Sequence, residues 1–483
     1  MAAGDYWLTR FVFQRALGLL YLIAFICALN QFRPLVGERG LLPVPAYVKA
    51  VPFRASPSLF YFAPKDWVFT AAAWIGIGLS CLVISGLATR FNSVLAAVIW
   101  GLIWALYISF VNVGQTFYAF GWESILLEAG FFAMFLGSDS TAPLAIPLWI
   151  FRWLEFRVMF GAGLIKIRGD SCWRDLTCLD YHYETQPMPN PLSWYFHTAP
   201  EWTHKAGVAF NHFSELIVPF GYFLPQPVAS LAGAITILFQ GMIMASGNLS
   251  WLNLLTMILA VPMIDGRYFA FLHIRAPHLT EPGTISKGVV VAAALLVLVL
   301  SVNPIRNMLS SRQIMNTSFN TLHLVGTYGA FGGITRLRYE VIVEGCNDSD
   351  YRTGQWKEYE FKGKPGDIMR MPPQIAPYHL RLDWLMWFAA MGQYYQYPWF
   401  VHFAAKLLEG DPPTLSLLRG NPFPGHPPKY IRALLYQYDF ATPEEHRRTG
   451  QWWRRELAGN WFPVVSLDEP EFQRVLQSAG WRD

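Results

Sequence analysis

No charged residue occurs between Asp66 and Arg90, none from Phe91 to Trp122, and none from residue 216 to 264. Crossing the hydrocarbon core of a bilayer takes about 20 mostly apolar helical residues. The first stretch therefore predicts one spanning helix. The second carries Asn112, Gly114 and Gln115 near its middle, which predicts a helix, a tight turn and the start of another. The third is broken at Pro225–Pro227 and at Gly247–Ser250 and predicts short helices. The last and cleanest run is "GVVVAAALLVLVLSVNPI" at 288–305. In all, the pattern predicts about nine spans. They lie near 12–31, 67–88, 93–112, 116–137, 145–166, 207–224, 228–246, 249–264 and 286–304.

Beyond about residue 318 the pattern changes. "RLRYEVIVEG" (336–345) and "QWKEYEFKG" (355–363) alternate apolar with polar residues, as half-buried antiparallel strands do. "TLHLVGTYG" (321–329) and "PKYIRALLYQYDF" (428–440) are further strand candidates, and "LDWLMWFAAM" and "PWFVHFAAKLLEG" predict short apolar helices. The predicted architecture is a polytopic α-helical membrane domain over 1–310, with outer loops 31–66 and 167–206. A β-rich α+β extramembrane domain follows over 318–483. Trp384, Trp387, Trp399, Trp452 and Trp453 in the second part suit an interfacial belt or a protein-binding face.

Composition agrees with partial solvation by lipid. The chain has 483 residues, 53% hydrophobic and 14% charged, against roughly 25% charged in soluble domains. A net charge of +4 without a clustered basic face argues against nucleic acid. The first residues place Asp5, Arg10 and Arg15 before the apolar core, with no small-residue cleavage site after it, which predicts a retained first helix. Arg90 in one short loop, and Arg267, Arg275 and Lys287 around another, assign those loops to the cytoplasm. With an odd number of spans the N-terminus is then cytoplasmic and the C-terminal domain lumenal or periplasmic. Arg33, Arg39, Lys49, Arg54 and Lys65 in the long, Pro-rich segment 31–66 run against this assignment.

Ionisable residues inside spans are costly and are candidate sites. Glu123 and Glu128, five apart, do not stack on one helical face, and Glu123 lies where a helix end reaches the interface. Arg152 and Glu155, three apart and followed by Arg157, have the spacing of an internal salt bridge. His212 and Glu215 share a face at i,i+3, which suits a hydrogen bond or proton relay and lacks a third ligand for a metal. Lys166 closes "GAGLIK", where Gly161 and Gly163 let a neighbour approach closely. It either snorkels to the interface or sits in a poorly solvated site as a base.

Of the five cysteines, Cys27 and Cys81 lie in apolar spans. Cys172 and Cys178 share one loop at C-x5-C spacing, which suits a disulfide in an oxidising compartment. Cys346 is left over. Asn316 and Asn347 head glycosylation sequons, while a third at Asn248 falls in a predicted span and is expected to be unusable. There is no P-loop, no G-x-S-x-G and no H-E-x-x-H; "GAFGG" (329–333) precedes no predicted helix.

Together, "PLVGERGLLPV" (34–44), "RGDSCWRDLTCLDYHYETQPMPNPLSWY" (168–195), "YEVIVEG" (339–345), "YEFKGKPGD" (359–367), "LDWLMWFAA" (382–390), "NPFP" (421–424), "PPKYIRALLYQY" (427–438) and "GQWW" (450–453) resemble the lipase maturation factor family over nearly the whole chain. The resemblance implies a polytopic membrane protein, in the endoplasmic reticulum of a eukaryote or the inner membrane of a bacterium. Such a protein helps secreted lipases fold and assemble without a required cofactor and engages the client through its C-terminal domain. Gly363 stands where vertebrate members are expected to carry a cysteine, which leaves Cys346 without its expected partner. The membrane part is also similar, more weakly, to the helical domain of vitamin K-dependent gamma-carboxylases, where a small-residue helix ends in an active-site lysine. "GAGLIKIRGDSCW" places Lys166 on that lysine. The rival expectation is thus a membrane enzyme with Lys166 as base, Glu155, His212 and Glu215 nearby, and a quinone-type lipid cofactor.

Overall fold

A computed structural model describes residues 6–478; Asp5 lies outside the described residues. Helix α1 (Trp7–Val36) is apolar on nearly all sides and lies along α2 (Asp66–Ile84). Small residues permit this contact. A Cβ on Gly76 would sit 2.5 Å from the Phe25 ring, and one on Gly18 would sit 2.8 Å from Val83. Next come α3 (Ser93–Val113), capped by the Asn92 side chain, α4 (Gly121–Ala133) and α5 (Ala145–Arg168). Helix α6 (Glu201–His212) runs into a single π-helical turn, Phe213–Ile217. Then come α7 (Val228–Ser246), α8 (Leu252–Ala260) and α9 (Thr284–Leu300).

Among the described residues five helical segments are long and apolar enough to cross a membrane: α1, α2, α3, α7 and Thr284–Leu309, which contains α9. A sixth arises if Leu252–Met263 and Gly266–Leu272, bent by 113°, count as one span. The count of about nine spans is not reproduced at this level. Segment 116–137 yields only the 13-residue α4. Segment 145–166 is a full helix, but it carries Arg152, Glu155, Arg157 and Lys166. Segment 207–224 is broken by the π turn and by the 3-10 turn Val218–Phe223.

The C-terminal part forms one antiparallel sheet in the order β2-β1-β3-β4, from β1 (Arg338–Cys346), β2 (Trp356–Glu358), β3 (Tyr430–Phe440) and β4 (Trp453–Val465). Helices α10 (Arg381–Ala389) and α11 (Pro398–Glu409) stand where the apolar runs predict them. The expected strand at 321–329 does not form. His323 and Val325 take φ of +56° and +51°, which breaks an extended path, and one bridge, Thr317 to Thr327, is all that pairs there. Strand β4 was not expected, because charges, Gly459 and Pro463 mask its alternation; a proline fits there because β4 is an edge strand.

One hydrophobic core runs from Tyr6 to Leu476 through both halves of the chain. Polar ties cross between the halves. Gln31 on α1 donates to the His379 carbonyl at 2.6 Å and accepts from the Arg381 amide at 2.9 Å. Asn248, fully buried between α7 and α8, donates to the carbonyls of Pro189 at 3.1 Å and Pro373 at 2.8 Å. Its oxygen accepts from the amides of Ile375 and Ala376, each at 2.8 Å, and from the Gln374 side chain. Its sequon is therefore sealed by use as a structural joint. Asn248→Ala leaves several buried backbone groups unpaired, each worth about 1–3 kcal/mol. We expect a loss of roughly 3 kcal/mol in unfolding of the detergent-purified protein; an unchanged midpoint contradicts the joint.

Candidate functional site

Except for Glu155, the charges that sequence spacing placed inside the helices find their partners in distant chain. Glu123 does not reach an interface: it is fully buried, 2.8 Å from Arg381, and accepts from the Tyr107 hydroxyl. Arg381 also donates to the Phe117 carbonyl at 2.8 Å and lies over the Tyr118 ring. Glu128 pairs with Arg157 and accepts from Tyr328 at 2.8 Å and from the Gly326 amide at 3.2 Å. The expected Arg152–Glu155 bridge is absent. Arg152 turns to the carbonyls of Pro262 and Tyr222 and to the Tyr6 hydroxyl. Neither Glu155 oxygen has a hydrogen-bond partner among the described residues.

Lys166 does not snorkel. It is 5% exposed, and its ammonium donates to Glu215 at 2.7 Å and to Asn211 at 2.8 Å. Asn211 in turn donates to the other Glu215 oxygen at 3.0 Å. The remaining side of the ammonium faces the Trp173 ring, 4.9 Å from its centroid. Two of the three ammonium donors are thus spent on hydrogen bonds, and the charge also rests against an aromatic face. Gly163 makes the pair reachable, since a Cβ there would lie 2.7 Å from Leu216 and 2.9 Å from the Glu215 Cβ. The π turn sets the direction: it swings Glu215 toward α5 while His212 binds the Trp173 carbonyl at 2.8 Å. His212 and Glu215 therefore do not act as a pair.

Cys172 and Cys178 form a disulfide, buried with Trp173, Val208 and Ile334. That burial holds Trp173 in place, with its indole N–H donating to the Phe331 carbonyl at 2.9 Å. Asp170, just before this loop, pairs with Arg336 at 2.7 Å. The Arg336 bond holds its carboxyl below the usual range, at about 2. Further along, Arg338 donates to the carbonyls of Glu184 at 2.9 Å, Gln186 at 2.5 Å and Pro187 at 3.0 Å. Burial pushes the Glu184 carboxyl up to about 7, although it accepts from the Phe440 amide. Segment 167–206 is thus laced to the sheet.

These elements enclose a cavity of about 440 Å³. Lys166, Asn211 and Glu215 form one polar patch of its lining, Gln240 and Asn253 another, and Trp122, Trp384, Trp387 and Phe388 an aromatic wall. Glu155 and His212 do not line it. His182 does, and burial together with the Lys166 charge lowers its imidazole to about 4, so it is neutral at neutral pH. Among the described residues no group of three or more His, Cys, Asp or Glu could hold a metal ion.

The tryptophans expected on a client-binding face have other surroundings. Trp384, Trp399 and Trp453 are buried, Trp453 stacked on Phe440, because the sheet and its helices need apolar filling more than the surface does. Trp387 and Trp452 are half-buried. The sequence reading passed over Asn211, Trp173, His182, Gln240 and Asn253. Uncharged amides in an apolar run carry no cost signal strong enough to mark them.

Apolar helices in the N-terminal half, a small antiparallel sheet after them and a cavity between define a membrane protein with an appended C-terminal sheet region. Residues 8–271 match the lipase maturation factor transmembrane domain, and residues 324–463 match the lipase maturation factor C-terminal domain. The chain is 44% identical to human lipase maturation factor 1, covering 99% of this chain and 91% of that protein. It is 44% identical to the mouse protein of the same name, covering 96% and 88%. It is 30% identical to lipase maturation factor 2 of Xenopus laevis, covering 99% and 85%. No solved structure matches the chain. The chain belongs to the lipase maturation factor family.

The Lys166–Glu215 pair is predicted to act as a brace. Lys166→Met leaves a buried carboxylate without its cation, which costs about 3–5 kcal/mol. The double variant Lys166→Met/Glu215→Gln is expected to regain most of that stability in thermal unfolding. A double variant as unstable as the single one contradicts the brace.

Proposed function

We propose that this protein is a membrane-bound maturation factor for secreted, lipase-like clients, acting by binding rather than by turnover. In a eukaryote it would sit in the endoplasmic reticulum membrane, and in a bacterium in the inner membrane. In this reading the N-terminus lies in the cytoplasm, and segment 167–206 with the C-terminal region lies on the far side, supported by the basic residues Arg90, Arg267, Arg275 and Lys287 around the opposite loops. The observation that carries this reading is the lacing of segment 167–206 to the sheet. Asp170–Arg336, the Arg338 fan and the Trp194 indole on the Ala441 carbonyl at 2.7 Å make one rigid surface from two distant stretches of chain. A rigid, preformed surface loses little entropy when it holds a partly folded client. Family membership supports the client class.

The buried disulfide fits a brace for Trp173 better than a redox centre, because Cys172 and Cys178 are 2% and 0% exposed and exchange needs access to a sulfur. The buried ion pair of Lys166 with Glu215, closed by Asn211, likewise fits a structural tie.

The test is co-expression with a secreted lipase in cells lacking their own maturation factor, read as active enzyme in the medium per unit of client made. The double variant Lys166→Met/Glu215→Gln is expected to keep maturation, and deletion of 318–483 to abolish it. A double variant that accumulates normally and matures nothing overturns binding in favour of chemistry at Lys166.

A further inference from the structure

Segment 31–66 joins the end of α1 to the start of α2, at the opposite end of α2 from Arg90, and carries five basic residues against two acidic ones. Loops on the far side of a membrane seldom hold such an excess. The segment is also a preformed structure. It contains the helix Val44–Ala50 and the 3-10 turns Phe53–Ala55 and Leu59–Tyr61. The Ser56 hydroxyl donates to the Asn112 carbonyl at 2.6 Å and the Ser58 hydroxyl to the Ser109 carbonyl at 2.9 Å. In return the Asn112 amide donates to the Pro57 carbonyl at 2.8 Å, which seats the segment on the end of α3. On its other flank the Leu41 carbonyl oxygen lies 2.6 Å from Nδ1 of His402 on α11. One body therefore touches both the membrane helices and the C-terminal region.

The acids of the segment are committed. Asp66 pairs with Arg33 at 3.4 Å and Glu38 with Lys65 at 2.9 Å. The other Glu38 oxygen accepts from the Asp66 amide at 3.0 Å, and Arg39 lies near enough to feel that carboxylate. Lys49 and Arg54 are left over: both are exposed, and neither makes an ion pair or hydrogen bond among the described residues. The surface around them is apolar. Phe53 and Leu59 are exposed, Phe62 is 80% exposed, and Trp67 in the first turn of α2 is 72% exposed. Phe53 packs on Tyr61 and Phe62, with centroids 5.4 and 6.1 Å apart. In water such a patch would invite aggregation. At the entry to a helix long and apolar enough to span the bilayer, the headgroup layer covers it, as it does other interfacial aromatic residues. Uncompensated cations beside those rings select the headgroup: arginine and lysine both bind phosphate oxygens. A zwitterionic lipid brings a cation of its own, and an anionic one does not.

We propose that segment 44–67 is an anchor for anionic phospholipid in the leaflet beside the C-terminal region. Lys49 and Arg54 meet the phosphates, and Phe53, Phe62 and Trp67 enter between the headgroups. Because the same segment is tied to α11, the anchor fixes the C-terminal region against that membrane surface. None of this depends on which client is served.

The test uses the full chain in phosphatidylcholine nanodiscs, without client. The discs carry a small, equal fraction of photoactivatable phosphatidylglycerol or photoactivatable phosphatidylcholine with the same acyl chains. Phosphatidylglycerol is expected to label peptides within 44–67 more strongly. The expected ratio is roughly fivefold for each of Lys49 and Arg54, from about 1 kcal/mol per basic residue near an anionic surface. Added salt should shrink the ratio. The double variant Lys49→Gln/Arg54→Gln, at two exposed positions, should lower it at least about fivefold with the thermal midpoint unchanged. Phe62→Ser should lower labelling by both probes alike. Equal labelling by the two probes overturns the proposal, as does a ratio that neither salt nor the double variant moves. Equal labelling together with lost lipase maturation in the double variant assigns the patch to the client instead, and the proposal fails.

Discussion

A charge removed from water must find a partner, and in this chain the partner is nearly always far away in sequence. Glu123 and Arg381 are separated by most of the protein, and both are 0% exposed. Either one alone would be a heavy liability in a low-dielectric interior. Together they fix where the segment after the helices must dock. The same constraint repeats at Glu128, which gathers Arg157 and Tyr328, while Arg338 pairs with Glu340 on its own strand and reaches distant chain through three carbonyls of segment 167–206. Glu340 also takes Lys364 at 2.9 Å. These pairs are weak evidence for net stability, since desolvation offsets much of their attraction. What they specify is arrangement.

That arrangement leads to the cavity. Gly161 and Gly163 bring α5 against the Tyr328 carbonyl and the π turn. The π turn delivers Glu215 to Lys166, and the disulfide loop delivers Trp173 to the other side. With both charges spent on each other, the space beside them is left neutral, lined by aromatic residues and a few amides.

Much of this was legible in sequence, and the boundary is physical. The long uncharged runs announced α1, α2, α3, α7 and α9, because transfer to lipid needs composition more than context. The alternation in 336–345 and 428–440 announced β1 and β3 for a similar local reason. Cysteine spacing pointed to the disulfide, and the small-residue run before Lys166 pointed to a close approach. The partners of the charges were not legible. Arg152 and Glu155 have the spacing of a bridge, yet Arg152 is drawn to carbonyls that open where Val261–Met263 and Val218–Phe223 tighten into 3-10 turns. Tryptophan content suggested a binding face, but three of those five rings are core. Nothing local distinguishes a surface indole from a buried one.

Hydrogen exchange read by mass spectrometry across a denaturant series tests the central claim, that buried long-range charge pairs make the helices and the C-terminal region one cooperative body. Protection in α4, which carries Glu123 and Glu128, and in α10 and β1, which carry Arg381 and Arg338, is predicted to collapse at the same denaturant concentration. Arg381→Met should move all three together. Loss of protection in α10 and β1 while α4 stays protected would contradict the account.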